Sequence, residues 1–311
     1  MPDKFYQVRR GFRFMLHRFL STLAMASICF CSSPAVPVAG TVVLTEPELK
    51  FDAAPLPSND TFAEVARTDP LQMLRLAAKR YKISKPEAEK VVISGYTASF
   101  LKQERIGDTL HSQEVIRVWY RESPYAVLML WEQGSRNMAE GTLFASGENN
   151  GKMLVWLPKL FGRITEVDPR SRLPRGSARY TIEEFGFFHS VKRALTVWTA
   201  AEARGALQWK FLGTRKVAEA DDRECHIVQR TCAVDEIDPF AAGEVNPRIT
   251  DANRADSFRT ITLYFDTRTW LQLGAELHRS DGALVSSYFY RNVVLNPALA
   301  PETFSRGSLR K

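Results

Sequence analysis

Leu71, Leu74, Ala77, Ala78 and Tyr81 recur at intervals of three and four residues, which places them on one face of a helix. Asp69 is a good N-cap, and Pro70 suits the first helical position. The spacing predicts an amphipathic helix over 69–81. A shorter helix is expected to begin at Lys85 and Pro86. Ahead of both, residues 41–66 are rich in Pro, Asp and Ala with no clear period. They read as an arm on the surface.

From residue 96 the pattern becomes that of strands. The segments 96–106, 113–120, 125–131, 142–146 and 152–157 follow closely on one another. Val115, Val118, Trp119, Val127 and Leu128 supply the β-branched and aromatic content expected of strands. The breaks carry turn chemistry: Gly107-Asp108, Ser123-Pro124, Gly134-Ser135 and the Gly- and Asn-rich 147–151. Connections this short make antiparallel hairpins. Residues 158–180 hold many Pro, Arg and Ser and read as a long loop.

A second helix is predicted over 181–204. Glu183 and Glu184 would sit near its positive end, and Gly205 would stop it. Strands resume at 208–217, 225–231, 258–266, 270–279 and 284–291. The polar stretch 233–257 reads as an insertion loop. A turn at 301–304 is expected to tuck Phe304 into the core. Strands, a helix block and strands again predict an α+β fold. One antiparallel sheet of about ten strands would curl strongly, and the central helix would plug its concave face.

The chain has 311 residues, 45% hydrophobic and 25% charged, which is globular composition with ample length for a core. Its net charge of +7 invites a nucleic-acid reading, but four of those charges fall in residues 1–39. There, basic residues end at Arg18, an apolar run of about a dozen residues follows, and small residues lead to Gly40. That is the layout of a secretory signal, with cleavage expected after Gly40. The apolar run is shorter than the roughly 20 residues a membrane span needs. Arg9-Arg10 resembles part of a twin-arginine signal. Ile28 and Phe30, ahead of Cys29 and Cys31 in turn, are too large for lipid attachment at either cysteine. The remaining +3, without a dense basic run, suits a mixed solvated surface and no nucleic acid.

Two of the four cysteines lie beyond the signal, Cys225 and Cys232. An oxidising compartment favours a bond between them. On one straight strand they would face opposite sides and lie too far apart. A disulfide therefore requires a turn between Gln229 and Cys232; the alternative is two unbonded buried thiols.

Catalytic motifs are not apparent. The chain lacks a Gly-rich phosphate loop, a Gly-x-Ser-x-Gly elbow and a His-Glu-x-x-His helix. His111, His189, His226 and His278 share no metal-ligand spacing. No metal or cofactor is expected. Trp119, Tyr120, Tyr125, Trp131, Phe144, Trp156, Phe265, Trp270, Tyr288 and Tyr290 crowd the strands. They make either an aromatic core or an apolar cavity between sheet and helix.

Several segments in order resemble an exported bacterial family known as domain-of-unknown-function family 1571. Tyr96 with Phe100, Gln103, Glu104 and Arg105 is like the family's first strand. Glu114, Trp119, Arg121 and Pro124 follow, then Glu140-Gly141, Gly147, Gly151, Asp168 and Pro169. Arg179 and Gly186 lead into the helix, and Tyr264, Asp266, Tyr288 and Asn296 close the pattern. The resemblance covers 68–305. The family looks similar to the LolA-like lipoprotein carriers and the stress regulator RseB, in which an unclosed β-barrel wraps around helices. That implies a single LolA-like domain over 67–305 with a tail at 306–311.

The resemblance also implies a periplasmic, non-enzymatic protein that binds lipid or lipoprotein acyl chains in a hydrophobic groove. Membrane-surface contact would fit, with no transmembrane helix in the mature chain. The alternatives are an envelope sensor docking a protein partner, and a hydrolase or transferase using Glu104, Arg121 and Arg179. The groove would be lined by Val118, Leu128, Leu130, Phe144 and Phe265. Gln103, Glu104, Arg105, Arg121 and Arg179 form the polar set of the motifs.

Overall fold

The computed structural model describes residues 56–82, 93–135, 138–171, 174, 177–236 and 257–310. The signal segment, the helix expected at Lys85 and nearly all of the 233–257 insertion lie outside the described residues.

The helix expected over 69–81 is present, and a helix that was not expected precedes it. α1 spans Asn59–Thr68 and α2 spans Pro70–Lys82. Part of the expected surface arm is therefore helical and packed. The side chain of Ser58 caps α1 by accepting from the Thr61 N–H at 3.2 Å. The Asp69 carboxylate caps α2 by accepting from the Gln72 N–H at 2.9 Å. Phe62 and Ala66, one turn apart, are fully buried. The Phe62 ring stacks on Trp270 with centroids 4.3 Å apart, and the Trp270 indole N–H donates to the Asn59 amide oxygen at 3.0 Å. The apolar stripe is only two residues deep, so the polar composition around it masks the period.

The strands are β1 Gly95–Ile106, β2 Thr109–Leu110, β3 Glu114–Arg121, β4 Ala126–Gln133, β5 Gly141–Ala145, β6 Met153–Leu157 and β7 Arg163–Val167. Helix α3, Phe187–Ala203, comes next. It is followed by β8 Gln208–Val217, β9 Arg223–Glu236, β10 Phe258–Asp266, β11 Gln272–His278 and β12 Leu284–Leu295. All twelve join one sheet in the order β7-β6-β5-β4-β3-β1-β12-β11-β10-β9-β8, with β2 paired to β1. Every pairing is antiparallel. β7 and β8 end the order without pairing to each other, so among the described residues the sheet is an unclosed barrel.

The topology has a simple logic. The chain meanders outward from β1 to the edge at β7. α3 then carries it to the opposite edge at β8, and a second meander returns until β12 pairs with β1. Tyr96 thereby faces Leu295, nearly two hundred residues away.

Two strands exceed the expected ten. β2 is a two-residue pairing, and β7 lies within the segment expected to be loop. β7 alternates: Ile164 is buried on the outer face, while Thr165 and Val167 point to the interior cavity. Five strand residues among many Pro and Arg were too few to shift the local composition.

α3 begins at Phe187, six residues later than expected. Glu183 and Glu184 belong to a preceding 3₁₀ turn, Ile182–Glu184, rather than to the helix's first turn. Gly186 separates them at φ 122°. A Cβ there would stand 2.9 Å from the Tyr120 ring, so the close approach requires glycine. α3 buries Phe187, Val191, Leu195, Trp198 and Ala201 against the concave side.

The outer face carries a second core. Ala126, Leu128, Leu143, Leu154 and Ile164 are covered by Phe304 and Leu309. Phe304 is thus buried as expected, but on the convex side. The expected tail at 306–311 is a 3₁₀ turn, Arg306–Arg310, whose Leu309 is fully buried.

Cys225 and Cys232 do not form the expected disulfide. β9 runs unbroken through both. The required turn is missing, and seven strand steps separate them by roughly 20 Å.

Candidate functional site

A cavity of about 280 Å³ lies between the concave face of the sheet and the elements that cover it. This is near the lower end of the about 300–1,000 Å³ typical of ligand pockets. Phe100, Ile116, Met129, Val155, Leu263 and Ala275 rise from the sheet, while Ala194, Val197 and Trp198 descend from α3. The period of two decides which strand residues reach it. On β4, Met129 and Trp131 point inward, and Leu128 and Leu130 point outward to the second core.

Aromatic rings form part of the wall. Phe100 packs against Phe185 at 5.2 Å, Tyr290 at 4.9 Å and Tyr288 at 6.0 Å between centroids. These side chains bury a large apolar area while keeping few rotatable bonds.

A buried polar cluster interrupts the apolar wall. The Lys102 ammonium stands 2.8 Å from one Glu114 oxygen and 3.4 Å from one Glu104 oxygen. The other Glu114 oxygen accepts from the Trp131 indole N–H at 3.0 Å. The other Glu104 oxygen accepts from the Tyr288 hydroxyl at 2.7 Å and the Arg179 backbone N–H at 3.2 Å. Burial, reinforced by the Glu104 charge, raises the Tyr288 pKa well above its ordinary value. Tyr288 therefore remains a hydrogen-bond donor to Glu104. Arg179 and Arg230 are also buried and line the cavity.

β-strand alternation builds the cluster. Phe100, Lys102 and Glu104 are every second residue of β1, and Lys102 lies opposite Glu114 on β3 and Tyr288 on β12. Isolated buried charges cost several kcal/mol each, so their mutual contacts are a condition of the fold.

The expected groove residues lie elsewhere. Val118, Phe144 and Phe265 belong to the inner core but not to the cavity wall. Each sits one strand repeat beyond a lining residue: Ile116, Thr142 and Leu263 respectively. Leu128 and Leu130 are on the opposite face of the sheet. Hydrophobicity selected all five, but it does not report face or depth.

The polar set divides. Glu104 and Arg179 meet at the cavity. The Gln103 amide instead donates to the His111 carbonyl at 2.9 Å. Arg105 donates to the carbonyls of Leu284 at 3.2 Å and Asp108 at 2.9 Å. Arg121 donates to the Pro124 carbonyl at 2.8 Å and lies 4.8 Å from the Phe304 ring centre. These three brace turns and the outer core. Lys102 and Arg230 were not singled out, and Glu114, Trp131 and Tyr288 were named only as motif or aromatic residues, not as members of one polar cluster. The available signal was two-residue spacing of Lys102 and Glu104 after Phe100 on an apolar strand.

Among the described residues, no group of three or more His, Cys, Asp or Glu is placed to hold a metal. None of the described lining residues is histidine or cysteine. No described helix is long and apolar enough to cross a membrane.

An unclosed antiparallel sheet around helices, with an interior cavity, defines an α+β class. The chain belongs to the family described as "Protein of unknown function (DUF1571)", whose model matches residues 93–308. No curated protein matches the chain. Lipoprotein LppX of Mycobacterium tuberculosis is similar at 14% identity and TM-score 0.40, over 75% of this chain and 99% of that one. A LolA superfamily protein from Nitrosomonas europaea is similar at 12% identity and TM-score 0.28, over 75% of this chain and 97% of that one. The Pseudomonas aeruginosa MucA/MucB complex contains a chain similar at 16% identity and TM-score 0.34, over 69% of this chain and 56% of that one. At these scores the fold assignment rests on the sheet and helices themselves.

Proposed function

We propose that this is an exported, non-enzymatic protein that holds the acyl chain of a lipid or lipoprotein in the cavity between sheet and helix. The observation that carries this reading is the apolar wall that Met129, Val155, Leu263, Ala194 and Val197 form around the cavity. Each methylene moved from water into such a wall contributes about 0.8 kcal/mol. Lys102, Glu104 and Glu114 engage one another and offer a polar point to a ligand head. That mutual engagement favours binding over chemistry. The N-terminal export pattern supports a periplasmic location.

Protein purified from an exporting host should release lipid on solvent extraction, and the emptied protein should take up a fluorescent fatty acid. Val197→Trp fills the cavity from a half-buried helix position. It should reduce uptake at least tenfold while leaving the thermal midpoint close to wild type. An empty extract with no uptake, or undiminished uptake in a folded Val197→Trp protein, would overturn the reading.

A further inference from the structure

The β6–β7 connection is Pro158-Lys159-Leu160-Phe161-Gly162, leading into Arg163. Five large hydrophobic side chains stand exposed among the described residues, and Leu160 and Phe161 are two of them. Phe161 is 106% exposed, with its ring wholly in water. The turn is nevertheless ordered. The Leu160 N–H donates to the Leu157 carbonyl, the Gly162 N–H to Pro158 and the Arg163 N–H to Leu160, at 3.0, 3.0 and 3.1 Å. Phe161 adopts φ 57°, a left-handed conformation rare for an aromatic residue. The backbone thus holds the ring away from the protein instead of letting it fold back.

The tip is ringed by positive charge. Lys159 and Arg163 flank it and are exposed, with no acidic residue between 158 and 163. The C-terminal turn adds two exposed arginines: Arg310 donates to the Gly162 carbonyl at 3.3 Å, and Arg306 to the Ile164 carbonyl at 3.2 Å. The β4–β5 tip lies at the same end of the sheet, because Gly141 pairs with Trp156. It contributes Met138, 46% exposed. Ala139 and Leu157, just inside the two tips, line the cavity.

We propose that the Leu160-Phe161 tip is a membrane-docking element that seats the cavity rim on an anionic phospholipid surface. Apolar side chains enter the boundary between headgroups and acyl chains, and neighbouring cations meet the lipid phosphates. An exposed Phe-Leu pair within a basic collar matches that layered chemistry. Hydrophobic docking of a neutral protein surface would not use the collar. The proposal deepens the acyl-chain reading by naming the surface where cargo would transfer, but attachment is measured without any ligand in the cavity.

The test is co-sedimentation of the full protein, as purified from an exporting host, with phosphatidylcholine vesicles with and without phosphatidylglycerol. All variants share the same N-terminus, so differences report the tip. Wild type should sediment with anionic vesicles and lose binding as salt is raised. Leu160→Asp with Phe161→Asp should weaken partition at least about tenfold. Lys159→Glu with Arg163→Glu should remove the preference for anionic vesicles. Both variants should keep the wild-type thermal midpoint and fatty-acid uptake in solution. Failure of wild type to bind vesicles, or wild-type sedimentation of the Asp variant, would overturn the proposal. So would a wild-type dimer that ignores vesicles and that the Asp variant dissociates. Tip-dependent vesicle binding with no fatty-acid uptake would sink the acyl-chain reading and leave membrane docking standing.

Discussion

Lys102 and Glu114 face each other across neighbouring strands, 2.8 Å apart, with side chains 10% and 2% exposed. Glu104 joins the same ammonium from two residues along β1. One cation therefore stands within ion-pair distance of two carboxylates in the wall of an apolar cavity.

Lys102→Met should destabilise the protein by about 3–5 kcal/mol at neutral pH, because it removes a buried cation that two carboxylates engage. Urea unfolding at neutral pH reads the loss. Adding Glu104→Gln and Glu114→Gln should restore part of the loss at neutral pH.

Phe62→Ala should cost about 3–5 kcal/mol, as expected for a fully buried aromatic stacked on Trp270. A surface arm would give a change within about 0.5 kcal/mol. Chemical denaturation separates the two, and a blue-shifted Trp270 emission lost in the variant would locate the effect.

Burial pushes the Cys225 thiol up to about 12. Its native pKa exceeds the unfolded value, so its contribution is intact below pH about 8.5 and declines as pH rises toward 12. Buried tyrosines, including Tyr120 and Tyr288, shift in the same direction. Stability should therefore fall on the alkaline side, and Cys225→Ala should make the fall shallower. Native protein should also react slowly with thiol reagents at pH 8 and show no change in thermal midpoint on adding reductant.

Leu309→Ala should cost about 2–5 kcal/mol despite its place two residues from the chain's last position. The effect arises from uncovering Leu128, Leu143 and Leu154 on the outer face. Calorimetry would measure the loss, and increased dye binding to apolar surface would report the exposed patch. A tail without structural role would leave both unchanged.

Much of the fold was legible because its signals are local. β8 and β10 have the bounds that β-branched and aromatic runs indicate, and α2 follows from the spacing of Leu71, Leu74 and Tyr81. α1 and β7 were obscured because their apolar positions are few and their neighbours polar. The site was less legible still. Leu128 and Met129 are adjacent and comparably apolar, yet one faces the outer core and the other the cavity. Only the face of the sheet distinguishes them.

By itself, the sequence determined the alternation of strands and helices and the α+β class. Those features depend on residue type, period and short-range turn chemistry. The tertiary structure alone decided that Lys102, Glu104, Glu114 and Tyr288 share one point. It also decided that the C-terminal turn seals the convex face, that Cys225 and Cys232 stay apart, and that Phe161 projects into water. Each depends on which distant strands pair and in what register. A shift of one residue in a strand exchanges its two faces, so the same residue types would build a different interior.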